Sequence, residues 1–386
     1  MDRRDFIKYG TVFIGAGGAC LLCKNYNWSA EKTKNGIDIT DTRICKTPFT
    51  YCEIYDNKGD IKPSCPAYLK YDNSGHIIEE ARFKNFCDNS EKDTIQNKEF
   101  NEFWNGKSIT ELRKRVLKGD FSMCRRDICT MYTPCTIDEL PADYQNGPKE
   151  IKISYDTECN YNCLICRDII KTNTSEEMEL YDKVYLPKII NIAKNADTVI
   201  MLGSGEPLFS RHSRKLIKEL VKAYPKIKFN LCTNGFFLDE KNLTELGIKN
   251  NVWGVAVPLD GINRETYKNI MRTDAFDRVM KNVELMAEWK KRGKINWMTI
   301  NFVVQLMNYK ELPEFVKLAQ KLDVTAFIST YKPWGFTEFS KRYNDIAVFE
   351  PKNKHYQELV KILHNPVFKD KEHCSMEPRL FDIANS

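Results

Sequence analysis

The stretch KEIKISYDTECNYNCLICRD, residues 149–168, decides how this chain is read. Its first half alternates Ile151, Ile153 and Tyr155 with polar residues, which is the period-two pattern of a strand. Its second half spaces Cys159, Cys163 and Cys166 as C-x3-C-x2-C. A strand therefore delivers three thiols into one short loop.

Working outward from there, the alternation continues. The helical pattern SEEMELYDKVYLPKIINIAKNA, with Ser175 as its N-cap, leads to the strand DTVIMLG, then the helix SRKLIKELVKAY and the strand KIKFNLC. The helix DEKNLTELG, the strand VWGVAVPL, the helix AFDRVMKNVELMAEWKKRG and the strand INWMTINFVVQ follow. The helix ELPEFVKLAQKLD and a last strand at residues 325–330 complete six strand-helix repeats. Strands that alternate with helices pair in parallel through right-handed crossovers. The predicted class is α/β, a partial parallel (β/α)6 barrel of TIM-barrel type spanning residues 149–335. Active sites of parallel barrels gather at the C-terminal ends of strands, which is where the three cysteines fall.

Residues 31–148 read as a small cysteine-rich domain, with one clear helix in SITELRKRVLKG that stops at Gly119. Few apolar runs are present there, so cross-links or metal are expected to hold it. The tail, residues 336–386, includes the helical NKHYQELVKILHN and no motif. Residues 1–30 read in two ways. Arg3-Arg4 ahead of the uncharged residues 9–23 resembles a twin-arginine export signal, and the same stretch suits a buried N-terminal helix.

Composition narrows the function classes. Among 386 residues, 42% are hydrophobic and 29% charged, as in an ordinary globular protein. The 59 basic and 53 acidic residues are interspersed, and the longest basic run, Lys290-Lys291-Arg292, closes a predicted helix, so no nucleic-acid footprint is expected. No stretch of eighteen apolar residues exists, so no transmembrane helix is expected. Fourteen cysteines against five histidines point either to disulfides or to metal and iron-sulfur ligation.

Three thiolates from one loop can bind three irons of a cubane and leave the fourth iron open. Buried thiols or part of a zinc site are the alternatives, although zinc would recruit a fourth Cys or His nearby and none follows soon after Cys166. After the second strand, MLGSGEPLF places Gly203, Gly205 and Glu206. The glycines let the backbone approach a ligand, and the carboxylate can accept hydrogen bonds from an ammonium group.

This ordered set resembles the radical S-adenosylmethionine (radical SAM) superfamily. It comprises the cysteine loop after the first strand, Gly203-Ser204-Gly205-Glu206-Pro207 after the second, LCTNGFFL after the third and PLDG after the fourth. The resemblance implies a [4Fe-4S] cluster on Cys159, Cys163 and Cys166 that binds S-adenosylmethionine and releases a 5′-deoxyadenosyl radical for hydrogen abstraction. It further implies cofactor contacts at Gly203, Gly205, Glu206 and Asn234, within Thr233-Asn234-Gly235, and a ribose contact at Asp260. Two positions depart from the family pattern: Ile165 stands where an aromatic is frequent, and Ser204 stands where the first of two adjacent glycines is frequent.

The remaining cysteines form a second constellation. Cys45 and Cys65 flank a hairpin-like turn at residues 57–59, and CRRDICTMYTPC supplies Cys124, Cys129 and Cys135. This group resembles the SPASM-type auxiliary-cluster domain, here placed before the barrel. An auxiliary [4Fe-4S] cluster, structural zinc, and disulfides or free thiols all remain open, with Cys52 and Cys87 as substitute ligands. Cys232 reads as core, and Cys20, Cys23 and Cys374 have no assigned role.

The resulting expectation is a radical SAM enzyme acting on a peptide or protein, supplied by a low-potential electron donor and working in the cytoplasm. The alternative is an iron-sulfur electron-transfer or cluster-carrying protein, which export through the twin-arginine route would favour. No residue acting as acid or base on the substrate is assigned.

Overall fold

Buried strands of a parallel sheet are covered on both faces and read as continuous apolar runs, as Val199 to Leu202 do. The computed structural model describes residues 12–15, 18–21, 43–55, 60–62, 70–71, 77–79, 95–96, 99–121, 133–202, 204–333 and 337–385. In chain order the strands are β1 (Val12–Gly15), β2 (Gly18–Leu21), β3 (Ile44–Cys45), β4 (Tyr51–Tyr55), β5 (Asp60–Lys62), β6 (Lys70–Tyr71), β7 (Ile77–Glu79) and β8 (Pro134–Cys135). They continue as β9 (Glu150–Ser154), β10 (Thr198–Leu202), β11 (Lys228–Cys232), β12 (Val252–Pro258), β13 (Trp297–Val304), β14 (Thr325–Thr330) and β15 (Cys374–Met376).

Nine of these strands form one sheet in the order β15-β14-β13-β12-β11-β10-β9-β4-β5. Every neighbouring pair from β15 to β4 is parallel, and only β5 runs antiparallel, at the edge beside β4. The six strands read from the sequence are the central β9 to β14, and the observed parallel sheet has two more. β4 pairs with β9 from Tyr51↔Glu150 to Tyr55↔Ser154, so the cysteine-rich region lends a strand to the barrel sheet. β15 pairs with β14, so the tail does the same. Neither strand belongs to the strand-helix alternation. β4 pairs across a long separation in sequence, and β15 is three residues long.

Alternation along β9 sorts its side chains into two layers. Ile151, Ile153 and Tyr155 join the main core under the helices, together with Val279 of the helix Phe276–Lys291 and Phe315 of the helix Leu312–Leu322. Each such buried aliphatic or aromatic side chain contributes about 1.5–3 kcal/mol relative to exposure. Lys152 and Ser154 occupy the opposite face. There the Lys152 ammonium pairs with Glu53 of β4 at 2.6 Å, and Ser154 Oγ donates to Glu53 at 3.5 Å. Gly254 of β12 has no side chain because the Trp297 ring of β13 occupies that space, and a Cβ would stand 1.9 Å from the ring.

Two local readings are corrected. The first helix after the cysteine loop, Ser175–Leu180, is capped by Thr174 rather than Ser175. Thr174 Oγ1 accepts from Glu177 N at 3.1 Å and Glu177 accepts from Thr174 N at 2.8 Å, a reciprocal box that needs the cap one residue earlier. The N-terminal stretch read as a helix forms antiparallel β1 and β2 instead. Gly15, Gly17 and Gly18 interrupt it, and glycine is a poor helix former. Arg3 and Arg4 lie outside the described residues. Among the described residues, no helix is long and apolar enough to cross a membrane.

Candidate active site at the C-terminal ends of the strands

β9 ends at Ser154, and the chain turns at once into the cysteine loop. Two buried acids pin that turn. Asp156 accepts from Glu158 N at 3.1 Å, from Asn173 Nδ2 at 2.9 Å and from Ser213 Oγ at 2.6 Å, and it also accepts from Ser210 Oγ. Glu158 accepts from Arg211 N at 3.0 Å. Ser210, Arg211 and Ser213 sit at the N-terminus of the helix Arg211–Ala223, whose N-cap is Ser210, so the loop is fastened to that helix. The sequence reading passed over both acids, although their D-x-E spacing just ahead of Cys159 was available.

Within the loop, Cys159 N donates to Lys171 O at 2.9 Å, and Tyr161 N donates to Cys159 Sγ at 3.4 Å. Cys166 N and Arg167 N both donate to Cys163 O, at 2.9 and 3.1 Å, which closes a tight turn. Leu164 N donates to Ile270 O at 2.8 Å, docking the loop on the helix Arg264–Met271. Burial pushes the Cys159 thiol up to about 12, with Glu206 adding to the rise and Arg167 opposing it. Burial and the neighbouring Cys166 and Cys159 also raise Cys163. The three thiols are thus close enough to feel one another's charge.

Ser204, Gly205 and Glu206 face this loop from the end of β10, whereas Gly203 lies outside the described residues. Glu206 N donates to Glu158 O at 2.8 Å. A Cβ on Gly205 would lie 2.2 Å from the same carbonyl, so the two backbones touch only because residue 205 is glycine. The Glu206 side chain is 2% exposed. It accepts from Thr233 Oγ1 at 2.6 Å, from Asn234 N at 2.6 Å and from Leu208 N at 3.0 Å. Burial pushes its carboxyl up to about 7, and these three hydrogen bonds work against the rise.

Asn234, after β11, donates through Nδ2 to Asn160 Oδ1 at 2.9 Å, which joins a third strand end to the cysteine loop. Gly235 follows at φ +81°, a conformation that glycine adopts without strain. Asp260, after β12, is buried with φ +53°. Its Oδ1 accepts from Val303 N at 2.7 Å, and its carbonyl accepts from Asn308 Nδ2 at 2.9 Å. Burial raises its carboxyl to about 7. One Asp260 oxygen therefore braces β13, a role that spacing alone did not reveal.

The structure thus gathers Cys159, Cys163, Cys166, Gly205, Glu206 and Asn234, with Asp260 within electrostatic reach of Cys163. A cubane fits this donor set. Each thiolate would take a different iron, so the sulfurs need not converge as the ligands of a single ion do. Among the described residues, no group of three or more His, Cys, Asp or Glu side chains is arranged to hold one metal ion.

The N-terminal cysteines are placed only in part. Cys45 of β3 and Cys135 of β8 lie on paired strands in a small separate core, both buried, and burial with the nearby Cys45 raises Cys135 to about 11. Cys65, Cys87, Cys124 and Cys129 lie outside the described residues, as does the turn at residues 57–59. Cys52 packs apart from Cys45 and Cys135. It is fully buried on β4 in the main core beside Ile151, in a different cluster from Cys45 and Cys135.

Residues 153–319 match the model of the Radical SAM superfamily. The chain carries a radical SAM domain. The match indicates an enzyme, and the superfamily implies a [4Fe-4S] cluster and S-adenosylmethionine binding. Among curated proteins, the chain is 26% identical over 250 residues to a probable GTP 3′,8-cyclase of Saccharolobus islandicus, covering 57% of this chain and 76% of the relative. It is 28% identical over 190 residues to the GTP 3′,8-cyclase of Chlorobaculum tepidum, covering 48% of this chain and 54% of the relative. Among solved structures, Streptococcus suis SuiB bound to its precursor peptide SuiA aligns with a TM-score of 0.42 at 16% identity, over 70% of this chain and 62% of that one.

Proposed function

We propose that this radical SAM enzyme reductively cleaves S-adenosylmethionine and uses the 5′-deoxyadenosyl radical to abstract hydrogen from a peptide or protein. The observation that carries the reading is the convergence of three coupled thiols with the buried Glu206 across touching backbones. In this reading Cys159, Cys163 and Cys166 would hold the cluster and leave it open to S-adenosylmethionine. When bound, the reduced cluster supplies the electron that splits the sulfonium.

The chain's own residues do the rest. Glu206 receives the methionine ammonium, a charge-assisted contact that replaces part of the solvation lost on burial. Gly205 lets the Glu206 loop close on the cysteine loop beside the methionine, Asn234 keeps the neighbouring loop in register with the cysteine loop, and the second carboxylate oxygen of Asp260 takes a ribose hydroxyl. Residues 149–335 form the radical unit in this account. Residues 31–148 hold an auxiliary [4Fe-4S] cluster on Cys45, Cys65, Cys124, Cys129 and Cys135, and the adjacency of Cys45 and Cys135 supports that grouping. A peptide or protein substrate follows from the SPASM-like cysteine pattern by analogy. A nucleotide substrate is the second reading, and the names of the cyclase relatives favour it. A cytoplasmic site of action suits the need for S-adenosylmethionine and a low-potential electron donor.

The test is 5′-deoxyadenosine formation by anaerobically reconstituted, dithionite-reduced protein, with Cys163→Ser alongside. Product from the wild type and none from the variant supports the reading. Absence of product from a wild type whose cluster is intact, with and without added peptides and GTP, refutes it. Iron near eight per chain supports the auxiliary cluster, and a value near four removes it.

A further inference from the structure

Arg167 directly follows the last of the three cysteines, and its side chain folds back over them. Its Nε donates to Cys166 Sγ at 3.4 Å, its Nη1 donates to Thr157 O at 2.7 Å and its Nη2 donates to Ser204 O. Among the described residues these partners are one thiol and two carbonyls, with no carboxylate. A partly buried guanidinium is ordinarily compensated by an acid. Here the groups facing the guanidinium are the Cys166 sulfur and the two carbonyls, so its charge meets an anion only when the loop's thiolates hold a cluster.

That placement matters for any cluster the loop holds. An iron-sulfur centre gains a negative charge on reduction, and its potential is set by net charge, hydrogen bonds to sulfur and exposure to solvent. A fixed cation donating to a ligand sulfur stabilises the reduced form more than the oxidised form. Arg167 also ties the cysteine loop to the carbonyl of Ser204, two residues before Glu206. Only a planar fork with several donors can reach a sulfur and two carbonyls at once, so lysine would supply the charge without the brace.

We infer that Arg167 is a positioning residue that raises the reduction potential of the cluster on Cys159, Cys163 and Cys166 and braces its loop against the Glu206 loop. This rests on the cluster reading proposed above. The experiment is a redox titration, followed by electron paramagnetic resonance, of the full-length reconstituted chain, with Arg167→Gln and Arg167→Lys compared to wild type. The signal followed is the one that Cys163→Ser abolishes. At a fixed poise, Arg167→Gln is expected to lower the reduced-to-oxidised ratio about tenfold, about 59 mV for one electron, with Arg167→Lys in between. Loss of the cluster in Arg167→Gln with retention in Arg167→Lys supports the same electrostatic role.

An Arg167→Gln potential equal to wild type overturns the inference, and so does loss of the cluster in both variants, which would make Arg167 a brace alone. A wild-type chain that assembles no [4Fe-4S] centre sinks the cluster reading instead. An intact centre with an unmoved potential sinks only the role of Arg167.

Discussion

Glu206→Gln should change how stability depends on pH, in a direction opposite to the usual acid loss. The Glu206 carboxyl is held at about 7 against an ordinary 4.5, chiefly by burial. The folded chain therefore keeps this proton to higher pH than the unfolded chain does. Between the two values the folded state binds more protons, so stability falls as pH rises. The displacement corresponds to about 3 kcal/mol, present in full below pH 4.5 and lost once the pH exceeds about 7. Asp260, raised to about 7 by burial, contributes a loss of the same sign in both proteins, so the difference between them isolates Glu206.

Glutamine cannot ionise, but its amide turns a donor toward one of the N–H groups of Asn234 or Leu208 that the carboxylate now satisfies. The protonated carboxyl presents its own O–H there, so at low pH the two side chains carry a similar mismatch and the variant starts near wild type. Relative to wild type, Glu206→Gln should therefore gain about 3 kcal/mol on going from pH 4.5 to 8, by linkage. The assay is denaturant unfolding of cluster-free protein under reducing conditions at several pH values. Parallel pH curves for the two proteins would refute the assigned burial effect. The same variant is expected to weaken S-adenosylmethionine binding, and unchanged binding in equilibrium dialysis would remove Glu206 from the amine site.

Other perturbations test the frame around the site. Gly205→Ala forces a Cβ to 2.2 Å from the Glu158 carbonyl, so the cysteine and glycine loops must separate. Thermal unfolding should show a lower Tm, and a wild-type Tm counts against the close approach. Lys152→Met leaves Glu53 buried without its 2.6 Å partner and should cost about 3–5 kcal/mol in denaturant unfolding. Lys152→Met with Glu53→Gln should recover much of that loss, and a double variant as weak as the single one contradicts the pairing. Replacing Cys45 and Cys135 together by alanine should lower the iron content to about four per chain if they hold an auxiliary cluster. Unchanged iron would assign them to the small core alone.

The sequence by itself determined the six central strands, the position of the three thiols after the first of them and the acid after the second. Those features are local: period-two alternation, helix caps and cysteine spacing act over a few residues and survive in the chain as written. Only the tertiary structure decided what lies far apart in sequence. β4 joins β9 across nearly a hundred residues, β15 extends the sheet from the tail, and Glu53 meets Lys152 through that pairing. The roles of Asp156, Asp260 and Arg167 belong to the same class. Each was visible as a residue type, but its partners come from other elements: Ser210 and Ser213 at a helix N-terminus for Asp156, Val303 of β13 for Asp260 and Ser204 after β10 for Arg167. A buried charge is defined by what surrounds it, and the surroundings exist only once the sheet has brought the strand ends together.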